Sequence, residues 1–266
     1  MQSPQSPIAF SIGQFDIHFY GIIMFFAILF GIGAMFAIAK RYYREVDTEK
    51  ILDILPVIII SAILGARIYY VLMDIQYYAK HLNEIFAVWR GGLSIHGALI
   101  GGITAGIILT KKHKLNFLKY ADVFAYGLLI GQATGRFGNY FNCEAFGLPT
   151  NLPFGLFIPT VYRPYEYLHF EYFHPTFLYE SIWNILVFFI LLFGIRKIPK
   201  IADGTVFFSY LILYSAGRFF IEFLRIDSVL DVFGVPVAQL VSGFAIILGI
   251  LFLIMINYHN KNKNHV

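Results

Sequence analysis

The chain carries little charge and almost no cysteine. Lysine, arginine, aspartate and glutamate make up 14% of its 266 residues, against roughly a quarter in an ordinary soluble domain. A water-soluble globule is thereby excluded. The single cysteine, Cys143, excludes an intrachain disulfide and any metal site built from several thiolates. No lysine or arginine precedes Lys40, so the start lacks the basic region of a cleaved secretory signal, and the first apolar segment is expected to be retained. No internal repeat is evident, and the only biased stretch is a polar tail over about 258–266.

Apolar sequence takes the place of charge: 58% of the residues are hydrophobic and 18% aromatic. Runs long enough to cross a bilayer, roughly 20 residues each, recur along the whole chain and leave room only for short loops. The expected fold is an all-α membrane protein, one polytopic domain over 1–266. Seven transmembrane helices are expected at about 17–39, 51–73, 92–110, 121–141, 174–195, 205–224 and 237–257. Basic residues set their direction. Lys40, Arg41, Arg44 and Lys50 follow the first span, Lys111, Lys112, Lys114 and Lys119 the third, Arg196, Lys197 and Lys200 the fifth, and Lys261 and Lys263 the last. The alternate loops hold only Lys80, Arg90, Arg163 and Arg225. The N-terminus is therefore expected outside and the C-terminus in the cytoplasm. The net charge of +4 is largely this topology signal, and no nucleic-acid partner is expected.

Two outer segments are more than connectors. In "DIQYYAKHLNEIFAVW", Ile75, Tyr78, Leu82, Ile85, Phe86 and Trp89 recur at helical spacing, which predicts an interfacial helix over about 74–90. The stretch over about 142–173 is rich in proline, glycine and tyrosine, and predicts a small external cap of irregular or short-strand structure.

An arginine in the middle of a membrane helix costs about 2.5–3.5 kcal/mol on insertion scales, so each one needs a reason. There are three: Arg67, Arg136 and Arg218. Arg136 falls near the end of an outward-running span, roughly 8 Å below the outer boundary at 1.5 Å per residue, and Arg218 falls at a comparable depth. Tyr214, Arg218, Glu222 and Arg225 are spaced four, four and three apart and share one face. Gln132, Arg136 and Asn139 do the same beside Gly131, Gly135 and Gly138, whose size admits a close neighbouring helix. His96 lies near the outer end of "GGLSIHGALIGGITAG"; His174, Tyr179 and Glu180 open the fifth span, and Tyr20 the first.

Each residue also has a plainer reading. Arg218 with Glu222 reads as an internal ion pair, and Arg67 as a structural residue satisfied by Tyr70 and backbone. His96 reads as a packing residue, His174 with Pro175 as a helix start, and Glu144 as a cap in the exit loop. Assembling so many polar groups at one depth merely for packing would be costly. Two guanidiniums beneath the outer headgroups suit a phosphate, which arginine grips through charge-assisted bonds. The residues lead this far, to an anionic phospholipid site open to the outer leaflet.

"GRFGNYFNCEAFG", residues 135–147, resembles the signature of the bacterial phosphatidylglycerol–prolipoprotein diacylglyceryl transferases. "HFYG" at 18–21, "GAR" at 65–67, "GGLSIHGALIGG" at 91–102, "HPTFLYE" at 174–180 and "GRFFIEFLR" at 217–225 follow in that family's order. The resemblance implies transfer of the diacylglyceryl group of phosphatidylglycerol to the lipobox cysteine thiol of a prolipoprotein, with release of glycerol phosphate. It implies that Arg136 and Arg218 hold the phosphate and that Asn139, Glu144 and Gly147 complete the signature. Tyr20, His96, Tyr214, Glu222 and Arg225 match further functional positions.

On this chemistry the acceptor thiol must lose its proton, and the departing phosphate must meet preorganised cations. His96 is the expected proton acceptor, because a free imidazole is largely neutral near neutral pH; another group or bulk water is the alternative. Cys143 is not the acceptor. No cofactor or metal is expected, the default state is a monomer, and the location is the bacterial cytoplasmic membrane with the site facing outward. Two departures stand out: Phe177 where the family commonly has glutamine, and Arg90 where an acidic residue is usual. A transporter or flippase of an anionic phospholipid would also bury arginines, but should show inverted repeats and a midplane site.

Overall fold

A computed structural model of the chain describes residues 1–263 apart from residues 5, 14, 89, 90, 227–230 and 233. Trp89, Arg90 and the last three residues of the expected polar tail lie outside the described residues. Among the described residues, seven long helices fall close to the expected ranges: α1 (Phe19–Tyr42), α2 (Thr48–Met73), α4 (Ile95–Lys112), α5 (Phe117–Phe141), α6 (Thr176–Phe189), α7 (Thr205–Glu222) and α8 (Val237–Lys263). Helix α6 continues through a π-helical turn at Ile190–Gly194 and a 3₁₀ turn to Lys197. Among the described residues, four helices are long and apolar enough to cross a membrane: Phe19–Tyr42, Thr48–Met73, Thr176–Lys197 and Val237–Lys261. The chain divides into two compact units, Met1–Ile38 with Ala121–Val266, and Ala39–Tyr120.

The first unit opens with a hairpin absent from the sequence-based expectation. Strands β1 (Ile8–Ile12) and β2 (Phe15–His18) pair antiparallel, with Ser11 opposite Asp16 and Ile12 opposite Phe15. Gly13 makes the turn at φ +62°, a conformation that costs glycine nothing. From the hairpin α1 starts, and it packs on α5 through small residues. A Cβ on Gly31 or on Gly127 would lie 2.8 Å from the other's carbonyl oxygen, so the two backbones meet with no side chain between them. Further along α5, Gly131 faces the Ala27 carbonyl, Gly135 faces Met24 and Gly138 faces the Tyr20 ring. The stripe of α5 glycines expected to admit a close helix thus receives α1.

Helix α7 is held at its start by a carboxylate on α5. Buried Asp122 accepts the backbone N–H of Gly204 at 2.8 Å and of Phe207 at 2.7 Å, supplying partners for two donors that a helix start leaves unpaired. Trp183 on α6 donates its indole N–H to the Leu213 carbonyl at 2.8 Å, and its ring covers Gly217 on α7. On the other side of α7, Phe208 stacks on Phe252 of α8 at 4.9 Å.

The 142–173 segment contains two 3₁₀ turns and the strands β3 (Leu156–Phe157) and β4 (Tyr172–Phe173), in line with the short-strand expectation. Its core is Phe146, Leu156, Ile158, Phe173 and Phe177. Phe177 is 1% exposed and makes edge contact with Phe137, so the departure from glutamine places an apolar ring where an apolar core needs one.

In the second unit α2 and α4 cross at glycines. A Cβ on Gly65 would run into the Gly97 carbonyl, and one on Gly101 into the Ser61 carbonyl. Asp47 caps α2 by accepting the Glu49 N–H at 2.9 Å. The expected single helix over 74–90 is corrected here: the segment forms α3 (Ile75–Tyr78) and a separate 3₁₀ turn at Leu82–Glu84. The physical reason is Arg67. Its guanidinium donates to the carbonyls of Glu84 (2.6 Å), Ile85 (2.7 Å), Gly91 and Gly92 (both 2.9 Å). An uninterrupted helix would direct the Glu84 and Ile85 carbonyls along its own axis. The ring of Tyr78 lies 5.3 Å from the same cation and that of Tyr70 5.8 Å. Arg67 therefore has the structural role that its sequence position also allowed.

Candidate active site

The polar stripe of α7 meets two other helices of the first unit at one buried carboxylate. Glu180, one turn into α6, is 4% exposed at its side chain and has three arginines around it. Arg136 of α5 places Nη2 2.5 Å from Oε2, while Arg218 of α7 and Arg225 just beyond it donate from Nη1 to Oε1 at 3.2 and 3.3 Å. Glu222, 2% exposed, forms the second anionic point: its Oε2 is 2.7 Å from Arg218 Nη2 and 3.9 Å from Arg225 Nε. Arg218 thus bridges both carboxylates.

Exposure divides the cluster by charge. The carboxylates are sealed, whereas Arg136, Arg218 and Arg225 keep 22, 17 and 11% of their side chains accessible. Buried carboxylates are tolerable only because the arginines compensate them. Among the described residues, Arg136 engages Glu180 through Nη2 alone, leaving Nε and Nη1 for an incoming acceptor. The cluster can therefore present guanidinium donors to an anion while the carboxylates hold those guanidiniums in place.

The remaining first-unit candidates lie on these helices, in the turn after α5, ahead of α6 and at the start of α1. Asn139 and Asn142 both donate to Glu144 Oε1, at 2.9 and 3.2 Å, so the signature's polar residues close a turn after α5. That turn bends through left-handed backbone at Cys143 (φ 51°) and Ala145 (φ 55°), both unusual for residues other than glycine. Gly147 follows, and its N–H donates to the His174 carbonyl at 2.8 Å while Leu148 N–H donates to the Leu224 carbonyl at 2.7 Å. Gly147 also bridges Arg225. It offers no side chain; it brings the start of α6 and the end of α7 together. Tyr20 packs its ring on Gly138, and Tyr214 lies one turn before Arg218, its ring 5.8 Å from that of Tyr210. Tyr210 in turn receives the Gln132 amide at 2.9 Å. His174 Nδ1 is 3.0 Å from the Tyr179 hydroxyl. His96 belongs to the second unit, exposed near the start of α4 with its ring 5.9 Å from that of Tyr69.

Glu180 is the residue that sequence reasoning noted in the outer half of its span but left out of the site. A signal was present: three arginines need anionic partners, and α7 supplies only Glu222.

A model of the family described as prolipoprotein diacylglyceryl transferase matches residues 7–255. The chain belongs to this family. Curated relatives in the family, named phosphatidylglycerol–prolipoprotein diacylglyceryl transferase, are similar over nearly their whole length. The protein from Acaryochloris marina is 44% identical, covering 93% of this chain and 89% of its own. That from Thermosynechococcus vestitus is 43% identical, covering 98% and 95%, and that from Clostridium novyi is 41% identical, covering 97% and 98%.

Cys143 is the family member's own thiol and must be kept apart from any acceptor. It is 5% exposed, and burial raises its pKa above the ordinary thiol range. It is therefore the protonated, poorly nucleophilic form near neutral pH. Maleimide is expected to label the folded protein slowly and the denatured protein fully, and Cys143→Ser is expected to retain activity; rapid labelling with parallel inactivation would contradict both.

Proposed function

We propose that this chain transfers the diacylglyceryl group of phosphatidylglycerol to the lipobox cysteine thiol of a prolipoprotein and releases glycerol phosphate. The observation that carries the reading is the arginine cluster on Glu180, in a chain of this family. The thiolate sulfur attacks the glyceryl carbon bonded to the phosphate oxygen. A carbon–sulfur bond forms, the carbon–oxygen bond breaks, and the phosphate leaves with one more negative charge than it brought. Arg136 and Arg218 meet that charge as it develops, with donors fixed beforehand by the carboxylates. Arg225 and Glu222 hold Arg218 in register. Tyr20, Asn139, Glu144 and Tyr214 line the headgroup side, where hydroxyl and amide groups suit the free hydroxyls of a glycerol headgroup. Gly147 sets the approach of the elements that carry them. His96 takes the thiol proton.

The reading includes seven membrane-spanning helices with the N-terminus outside, in a bacterial cytoplasmic membrane. The site faces outward, the 142–173 segment covers it, and the protein works as a monomer without a cofactor. Positive loops after the first, third, fifth and last helices support that orientation.

The test uses purified protein in micelles containing phosphatidylglycerol and a lipobox peptide. Glycerol phosphate release is expected with the cysteine peptide and not with its serine counterpart. His96→Ala is expected to lower the rate by about 10²-fold or more, with partial recovery at alkaline pH, where the peptide thiol ionises unaided. A folded parent that binds the lipid but releases nothing would overturn the transferase reading in favour of a transporter.

A further inference from the structure

The two carboxylates sit where they weaken the site's attraction for anions. A pocket made only to bind phosphate would gain from three unopposed guanidiniums. Here Glu180 takes one contact from each of Arg136, Arg218 and Arg225, and Glu222 takes one from Arg218 and a longer one from Arg225. Three cations and two anions leave one net positive charge on the described cluster. Glu222 and Arg225 make further interactions, so the decisive carboxylate is Glu180, which touches all three arginines. Glu144, the nearby acid of the α5 turn, is exposed and bonded to Asn139 and Asn142.

The reaction changes the charge of the group in the site by one unit. The donor lipid is a phosphodiester with one negative charge, and the released glycerol phosphate is a monoester with about two, its second pKa lying near 6. We infer that Glu180, with Glu222, holds down the arginine site's preference for a dianionic monoester over a monoanionic phosphodiester, so that the cations still meet the charge that develops in the transition state but do not trap the product once the carbon–oxygen bond has broken. This rests on the reading that the cluster holds the lipid phosphate. Glu180 acts through the arginines, as a positioning and charge-balancing residue.

Two water-soluble probes separate the charge states at one pH of about 8: glycerophosphoglycerol, the deacylated headgroup and a monoanion, and glycerol phosphate, a dianion. Their binding to the full-length protein in micelles is read from ligand-dependent shifts of the unfolding midpoint, which needs no turnover. The parent is expected to bind the two probes with an affinity ratio within about tenfold of unity. Glu180→Gln and Glu222→Gln each add one net positive charge and are expected to shift that ratio about tenfold toward the dianion, whereas Arg225→Gln is expected to shift it the other way. A merely structural role would lower both affinities together and leave the ratio unmoved, and that result would overturn the inference. So would a parent that binds the dianion more than about 10²-fold more tightly than the monoanion, an outcome that requires no variant to fold. Failure of both probes to bind the parent would instead remove the phosphate-site reading beneath it.

Discussion

Arg136→Ala is expected to lower kcat/KM for glycerol phosphate release by about 10³-fold while leaving the unfolding midpoint close to that of the parent. Arg136 makes one contact in the cluster, to Glu180 Oε2, and Glu180 keeps Arg218 and Arg225 when it is gone. The fold therefore loses little, whereas the site loses the guanidinium with the most accessible surface. Arg136→Lys restores a charge but not the planar fork, and is expected to recover only a small part of the activity. Arg218→Ala should separate from Arg136→Ala in stability. Arg218 is the bridge between Glu180 and Glu222, and its removal deprives two buried carboxylates of a shared partner, at a cost of about 3 kcal/mol. Activity and thermal unfolding of both variants, measured in the same micelles, check the pair. Full activity in either variant would exclude it from the phosphate clamp.

Two glycines of the same signature are expected to respond in opposite ways to one added methyl group. In Gly147→Ala the new Cβ would lie 2.7 Å from the Leu224 carbonyl oxygen and 2.9 Å from both His174 Cβ and Thr176 Cγ2. The first of these is backbone on the approach to Arg225, which can move only by shifting that arginine. A loss of about 1–3 kcal/mol in stability is expected from overpacking, together with a fall in activity of about 10²-fold or more as the cluster loses its spacing. In Gly135→Ala the nearest atom is the Met24 sulfur at 3.4 Å, an ordinary contact with a flexible side chain. That variant is expected to behave as the parent. Equal tolerance of both substitutions, by activity and unfolding midpoint, would show that the junction at Gly147 does not set the site.

These contrasts show where the sequence was informative. Helical periodicity put Tyr214, Arg218, Glu222 and Arg225 on one face and Gln132, Arg136 and Asn139 on another, because residues three and four apart on a helix are neighbours whatever surrounds them. The glycines of α5 announced a close helix but not that it would be α1, since small size states a distance and not a partner. Arg67 was readable as structural, yet its four carbonyl partners come from a loop more than fifteen residues away, and this long-range contact breaks the helix that local periodicity over 74–90 suggested. Glu180 illustrates the same limit at the site. Its place near the start of its helix was legible from the sequence, while its contact with arginines of two other elements depends on how three helices are rotated about their axes. The β1–β2 hairpin escaped notice because its alternating apolar residues, Phe10, Ile12 and Phe15, merge with the apolar run of the first helix.

Helix α7 is fastened near both extremities. Asp122 holds the N–H groups at its start, and the ion cluster holds Arg218 and Glu222 near its finish. Eighteen residues at 1.5 Å each give a strut about 27 Å long with fixed anchorage at either end, so it cannot slide along its own axis without breaking one set of bonds. Bilayers differ in thickness by several ångströms, and most helices accommodate the mismatch by tilting or shifting. On the proposed reading, in which α7 crosses the bilayer, that adjustment falls on lipid and on the less tethered helices, and the arginines keep a constant depth from one membrane composition to another.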